Sequence, residues 1–296
     1  MSRSDAKLDK EAGRPATDRA VPAGPAGVGR GQMFTIEPMV VAYGPHREKS
    51  RFTYMHNAGV PIDIPYVSWL IRGPDLTALI DVGCSARDYT EHIRPKDREL
   101  VHVGQVFADV VDVKPITRHL ADRGLTPRDI DIVVLSHLDW DHCMTVDPFT
   151  GSAFYVQRKE WDTTPSHEMF ATSFGPKEHY EKLAGFNLTL LDGAHRIAEG
   201  FDLMLSPGHT FGGQSAIIRT SEGTFVIAGM CVLRENFYPS SEESEHFKVI
   251  PPGGHTDLFQ SYESMLRLKE IGGDNVLPLH MTEAWDITRI GSPIGQ

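Results

Sequence analysis

Ser136-His137-Leu138-Asp139-Trp140-Asp141-His142-Cys143 carries two histidines and two aspartates within the six positions 137–142. Directly before it, Asp131-Ile132-Val133-Val134-Leu135 is a run of β-branched residues and leucine, the pattern of a buried strand. A strand delivers such a segment to one end of a sheet, where α/β proteins build their sites. Imidazole and carboxylate are the ligands of zinc, manganese and iron. Buried carboxylates are costly without compensation, and a cation would neutralise both. The competing reading is a polar loop with capping aspartates.

Outward from this stretch, the same arrangement recurs twice. Phe201-Asp202-Leu203-Met204-Leu205 reads as a strand that runs into Ser206-Pro207-Gly208-His209-Thr210, with Gly212 and Gly213 following. Glycines there let backbone approach closely. Asn275-Val276-Leu277-Pro278-Leu279 reads as a short strand ended by His280. One histidine at a strand end is usually structural. Three such strand ends, two with glycine-assisted turns, favour a converging metal site.

The remaining elements frame these ends. Met39–Tyr43 reads as a strand, and Tyr66–Ile71 and Thr77–Gly83 as a hairpin around Gly73-Pro74-Asp75. Asp81 closes that hairpin. It either braces a neighbouring loop by accepting backbone hydrogen bonds or is a plain turn residue. Residues 44–65, with His46, Arg51, Tyr54, Met55, His56 and Asn57, show no period and read as a substrate-covering loop or a connector. A helix is expected over 113–124, stopped by Gly124, with His119 on its surface. Ala153–Val156 and Leu188–Leu191 read as strands, and His167 and His179 as surface residues. Gln214–Arg219 and Thr224–Ala228 form a hairpin that ends in Gly229-Met230-Cys231. Residues 256–271 form an amphipathic helix closed by Gly272-Gly273.

Composition bounds the function. The chain has 296 residues, 40% hydrophobic, and a formal net charge of −11, which argues against nonspecific nucleic-acid binding. Its three cysteines, Cys84, Cys143 and Cys231, are too scattered for a disulfide framework and fit a reduced cytoplasmic setting. No run approaches the ~20 apolar residues of a membrane span, and the first 30 residues lack the apolar core of a signal peptide. Residues 1–32 are rich in Ala, Gly, Pro and charge. They read as a flexible tail, or as an arm that wraps a partner subunit in a homo-oligomer. Residues 33–296 are expected to form the catalytic domain.

The motifs at 136–142, 206–210, Ala228-Gly229-Met230-Cys231 and Leu277-Pro278-Leu279-His280 resemble, in order and spacing, those of the metallo-β-lactamase superfamily. Asp81-Val82-Gly83 is similar to the family's opening motif. Arg234-Glu235-Asn236-Phe237 resembles a stretch of the N-acyl-homoserine lactonase-like hydrolases. The resemblance covers residues 35–285 and implies an α+β fold, a four-layer αββα sandwich with metals at one edge.

By position, the resemblance assigns His137, Asp139 and His209 to one metal and Asp141, His142 and His280 to a second. Two departures stand out. Asp139 occupies the family's second histidine position, giving His-x-Asp-x-Asp-His. The bridging aspartate falls on Met230 or Gly229, with Cys231 beside them as a possible extra ligand or a buried structural cysteine. The lactonases' active-site tyrosine falls on Val232 or Leu233, and Tyr238 or Tyr54 are the candidate substitutes. A carboxylate in place of an imidazole favours manganese or iron over zinc, and a lost bridge leaves one or two divalent ions.

The expected activity is metal-dependent hydrolysis of a small lactone, cyclic amide or related carboxylic ester. A cation that lowers the pKa of bound water supplies hydroxide, and Asp141 is the catalytic group that orients the water or takes its proton. Tyr54, Trp69, Trp140, Phe237 and Tyr238 are the candidate pocket linings. Two other readings are an iron-dependent redox enzyme acting on a thiol or oxygen, motivated by Asp139 and Cys231, and a degenerate non-catalytic binding module, motivated by the missing bridge.

Overall fold

A computed structural model describes residues 33–93, 109–163 and 177–292. The expected tail or arm of residues 1–32, with any subunit contact it makes, lies outside the described residues, as does His167.

Period-two alternation of apolar side chains builds two sheets. In the first, β1 (Thr35–Glu48) pairs antiparallel with β2 (Pro61–Arg72), and β2 with β3 (Thr77–Ile80). β4 (Val111–Asp112) caps one edge. β5 (Ile132–Val134), β6 (Ala153–Gln157) and β7 (Asn187–Leu191) add in parallel beyond β3, giving the order β4-β1-β2-β3-β5-β6-β7. The second sheet contains β8 (His195–Ala198), β9 (Phe201–Leu205), β10 (Gln214–Thr220), β11 (Gly223–Ala228) and β12 (Val276–Pro278). Its order is β12-β11-β10-β9-β8, antiparallel except where β12 runs parallel to β11.

Successive residues of one strand enter different cores. Ala78 and Ile80 face a cluster shared with Ile218, Ile227 and Leu277 of the second sheet, while Leu79 between them faces the helices outside. On the far side, Val226, Ala228 and Val276 pack against Met265 and Leu268 of the helix Leu258–Gly272. The layers are therefore helix, sheet, sheet, helix, the α+β sandwich expected from the motifs. Asp257 starts that last helix by accepting the Gln260 N–H (2.9 Å), and Gly273, at φ 56°, ends it.

Several expectations need correction. The segment 44–65 is mostly strand: β1 continues to Glu48 and β2 starts at Pro61, so the connector is only 49–60. A register shift between Gly44 and Arg47 hides the alternation in sequence. The expected helix at 113–124 spans only Ile116–Ala121, because Pro115 precedes it and Gly124 turns at φ 72°. His119 is not a surface residue; it is half-buried and its Nε2 donates to the Val40 carbonyl (2.9 Å). His179 is buried as well, edge-on to Tyr180. β8 carries no strong apolar alternation, so nothing in the sequence marks it as a strand.

Candidate metal centre

β3, β5, β9 and β12 all end at one rim of the sandwich. Their exit loops hold Asp81, residues 136–142, His209 and His280 respectively. Two groups form there. His137, Asp139 and His209 bring one ligand atom each within 4.8 Å of one another, and Asp141, His142 and His280 do the same. In the first, Asp139 Oδ2 lies 3.6 Å from His137 Nε2 and 3.4 Å from His209 Nε2. In the second, Asp141 Oδ2 lies 3.3 Å from His142 Nε2 and 3.7 Å from His280 Nε2. The groups adjoin, with the His137 and His142 ring centroids 4.1 Å apart. All six residues assigned by the motifs are thus brought together.

Each imidazole is held by its other nitrogen. His142 Nδ1 donates to Asp81 Oδ2 (2.9 Å), His209 Nδ1 to the Gly254 carbonyl (2.7 Å) and His280 Nδ1 to the Pro65 carbonyl (3.1 Å). His137 Nδ1 donates to Ser136 Oγ (2.9 Å), whose own hydroxyl donates to Asp81 Oδ2 (2.8 Å). These bonds turn every Nε2 inward, and on neutral rings they would place the lone pair there, the arrangement that raises ligand basicity. His142 Nε2 is buried without an aligned hydrogen bond. An orphaned buried nitrogen among carboxylates fits a divalent cation.

Two buried carboxylates position the loops. Asp81 also accepts the Ser136 N–H at Oδ1 (2.7 Å), so it does brace the neighbouring loop. Its backbone sits at φ 62°, a left-handed conformation that aspartate tolerates better than most residues. Glu160 was not singled out from sequence. It is fully buried and accepts the Leu138 N–H (3.0 Å) and the Gly212 N–H (2.9 Å), tying the loop of His137 to the loop of His209. Gly212 is required by this approach, since a Cβ there would collide with Glu160 backbone. A glutamate after a short strand carries no signal of this role in one sequence.

The charges follow from burial and neighbours. Burial alone would protonate Asp139 and Asp141, but the facing histidines outweigh it and hold both well below the usual carboxylate range. Burial pushes His280 down to about 4 and also lowers His137, so both present neutral nitrogens. For His142, Asp141 and Asp81 outweigh burial and raise its pKa well above the ordinary value. Asp139 does the same for His209 against burial.

A cavity of about 190 Å³ opens onto both groups. Trp140 lines it as expected, together with Phe52, Tyr66, Tyr89 and Arg47, none of which the motifs marked for the pocket. Trp69 does not line it: it points between the sheets and is fully buried there. Phe237 also fails as a lining residue, because it packs in the outer core near Met265. Tyr238 faces a separate groove beside Arg234 and Glu235, and its hydroxyl donates to the Gly273 carbonyl (2.9 Å). Tyr54 packs edge-on against the lining residue His255, at 5.4 Å between centroids. Met230 is fully buried against the outer helix, and Gly229 abuts the Gln214 carbonyl, so neither position supplies a bridge. Cys231 lines the cavity but belongs to neither group. Burial, then Asp141 and Asp139, push its thiol well up, which disfavours a thiolate.

Comparison with known proteins agrees with this geometry. The sequence profile of the Metallo-beta-lactamase superfamily matches residues 62–270. An N-acyl homoserine lactonase of Bacillus cereus is 26% identical over 210 residues, 71% of this chain and 77% of that protein. The lactonase AiiB of Agrobacterium fabrum is 28% identical over 195 residues, 62% of this chain and 69% of that protein. An N-acyl homoserine lactone hydrolase, solved with the product N-hexanoyl-L-homoserine at its catalytic metal center, superposes with a TM-score of 0.65. It is 21% identical, over 86% of this chain and 95% of that one. The profile match spans most of the described sandwich, and the chain belongs to the metallo-beta-lactamase superfamily.

Proposed function

We propose that this chain is a metal-dependent hydrolase that opens a small lactone, cyclic amide or related carboxylic ester. The observation that carries the reading is the pair of adjoining ligand groups on one small, aromatic-walled cavity. The lactonase relatives support the lactone as first choice of substrate. His137, Asp139 and His209 would hold one divalent ion, and Asp141, His142 and His280 a second. Asp139 in place of an imidazole hardens the first site toward manganese or iron beside zinc.

Bound cations would supply Lewis acidity and a water of near-neutral pKa. Asp141 closes its group through Oδ2, and its carboxylate would orient the attacking water or relay its proton to the leaving oxygen. Tyr66 accepts a hydrogen bond from Arg47 Nη2 (2.8 Å), which leaves its own proton to orient a substrate oxygen. Burial raises the Tyr66 pKa, so the phenol stays protonated and acts as a hydrogen-bond donor. Trp140 and Phe52 cover the site and exclude bulk water. The free cysteines, with Cys84 and Cys143 buried, suit a reduced cytoplasmic setting. Among the described residues no helix is long and apolar enough to cross a membrane.

The test is elemental analysis of the purified protein, followed by proton release from lactones after loading with zinc, manganese or iron. Stoichiometric metal and lactone opening are expected. A protein that opens no lactone, ester or amide with any of these metals would refute the reading.

A further inference from the structure

Arg47 is the unusual charge of the cavity. It is 8% exposed, lines the wall, and gives Nη2 to the Tyr66 hydroxyl at 2.8 Å. No carboxylate among the described residues lies within 4.0 Å of its guanidinium. Elsewhere this fold pairs its half-buried arginines: Arg72, Arg123 and Arg289 all converge on Glu37. A buried guanidinium without an anion is costly, so its retention calls for a partner.

The placement is built into the backbone. Arg47 follows the register shift in β1, which turns its side chain back toward Tyr66. Gly44 makes room, because a Cβ there would collide with Arg47 Nε and the Tyr66 hydroxyl. Arg51 enters the same cavity and has no carboxylate within 4.0 Å among the described residues. Its carbonyl accepts the Gly254 N–H (2.8 Å), and Gly254 in turn holds His209, so Arg51 is registered to the ligand loop.

We propose that Arg47, Arg51 and Tyr66 form a carboxylate-binding subsite, and that the compound opened at the adjoining centre is a lactone carrying its own carboxylate. The inference rests on the hydrolase reading: with Asp139 and Asp141 committed to cations, neither can neutralise Arg47. A neutral lactone would leave the buried Arg47 guanidinium without a close anion, with only the more distant charge of Asp141 acting on it, while Arg51 is exposed and solvated in either case. A carboxylate matches what is left of the Arg47 fork, two parallel donors in one plane. The cavity of about 190 Å³ takes a compact ring beside the two ligand groups.

Two measurements test this. The metal-loaded enzyme is given γ-butyrolactone-γ-carboxylate and its neutral carboxamide. A kcat/KM ratio of about tenfold or more in favour of the acid is expected, carried by KM. In Arg47→Met the ratio falls to near one. In Arg47→Lys, which keeps the charge without the fork and is available if the methionine variant does not fold, it is intermediate. Separately, calorimetry follows tetrahydrofuroate, which has no ester to open, and its amide. The acid binds about tenfold tighter to the wild type, and Arg47→Met erases the difference. Equal turnover of acid and amide by the wild type, or carboxylate preference retained in Arg47→Met, overturns the subsite. If no lactone is opened while tetrahydrofuroate binding tracks Arg47, the subsite stands and the hydrolase reading falls.

Discussion

His137 and His209 face each other Nε2 to Nε2 at 3.3 Å, with their Nδ1 atoms already taken by Ser136 and the Gly254 carbonyl. Two neutral rings so placed aim their lone pairs at each other, and a proton or a cation between them removes the repulsion; the cation does so while leaving both rings neutral as ligands. Chelation should therefore cost stability as well as activity. A cation present at about a hundred times its Kd stabilises the fold by ~2.7 kcal/mol, and a chain of this size then loses on the order of 5–10 °C in Tm on removal. Thermal unfolding with and without chelator, then after metal is restored, checks it. An unchanged Tm would show that the facing nitrogens hold nothing.

Asp141→Asn keeps the shape of the side chain and removes its charge. The second group loses its only carboxylate, and on the proposed mechanism the water loses the group that orients it or takes its proton. A fall in kcat of about 10²–10⁴ is expected, with an unchanged near-ultraviolet circular dichroism spectrum. Turnover close to wild type would remove Asp141 from its assigned role.

Glu160→Gln leaves one acceptor oxygen where two N–H groups, of Leu138 and Gly212, now find one each. One of them is left unsatisfied in a buried place, at a cost of about 1–3 kcal/mol. The urea midpoint should drop accordingly. Metal affinity should drop with it, because the loops of His137 and His209 are no longer tied. A stability loss without any change in affinity would mean that Glu160 supports the fold alone.

Glu37 gives the pH dependence. Burial pushes its carboxyl up, but hydrogen bonds from Arg123 and Arg72 and the charge of Arg289 outweigh burial and hold it below the ordinary value. Its folded pKa is below its unfolded one, so the stability it contributes is full above the unfolded pKa and is lost as pH falls through the folded one. Glu37→Gln should lose about 2–3 kcal/mol at neutral pH, less than for a fully buried network because the arginines are partly exposed. The gap to wild type should close below about pH 4. A constant gap down to low pH would show that the carboxylate's charge is not what holds the three arginines.

That the six candidate ligands gather at one rim was legible because the chemistry is local: they sit at strand ends, and strand ends are marked by the switch from apolar runs to glycine and polar residues. The two cores were legible for the same reason, since alternation shows in Leu79 against Ala78 and Ile80. The pocket was not. Trp69 and Phe237 were expected in it because large aromatics near motifs suggest a lining, yet aromatic size serves an interior equally well. Arg47 was hidden because a one-residue irregularity in pairing reverses which face a side chain takes. Glu160 was hidden because its partners, Leu138 and Gly212, lie 22 and 52 positions away.

Each ligand group draws two members from the exit of β5 and one from a strand end of the other sheet. The interior that separates the sheets, which includes Trp69, thereby acts as a calliper on the centre. Its side-chain volumes set how far His209 and His280 stand from the 137–142 loop. Laboratory selection for a different cation is therefore expected to return replacements at inward-facing residues such as Trp69, with the six candidate ligands untouched.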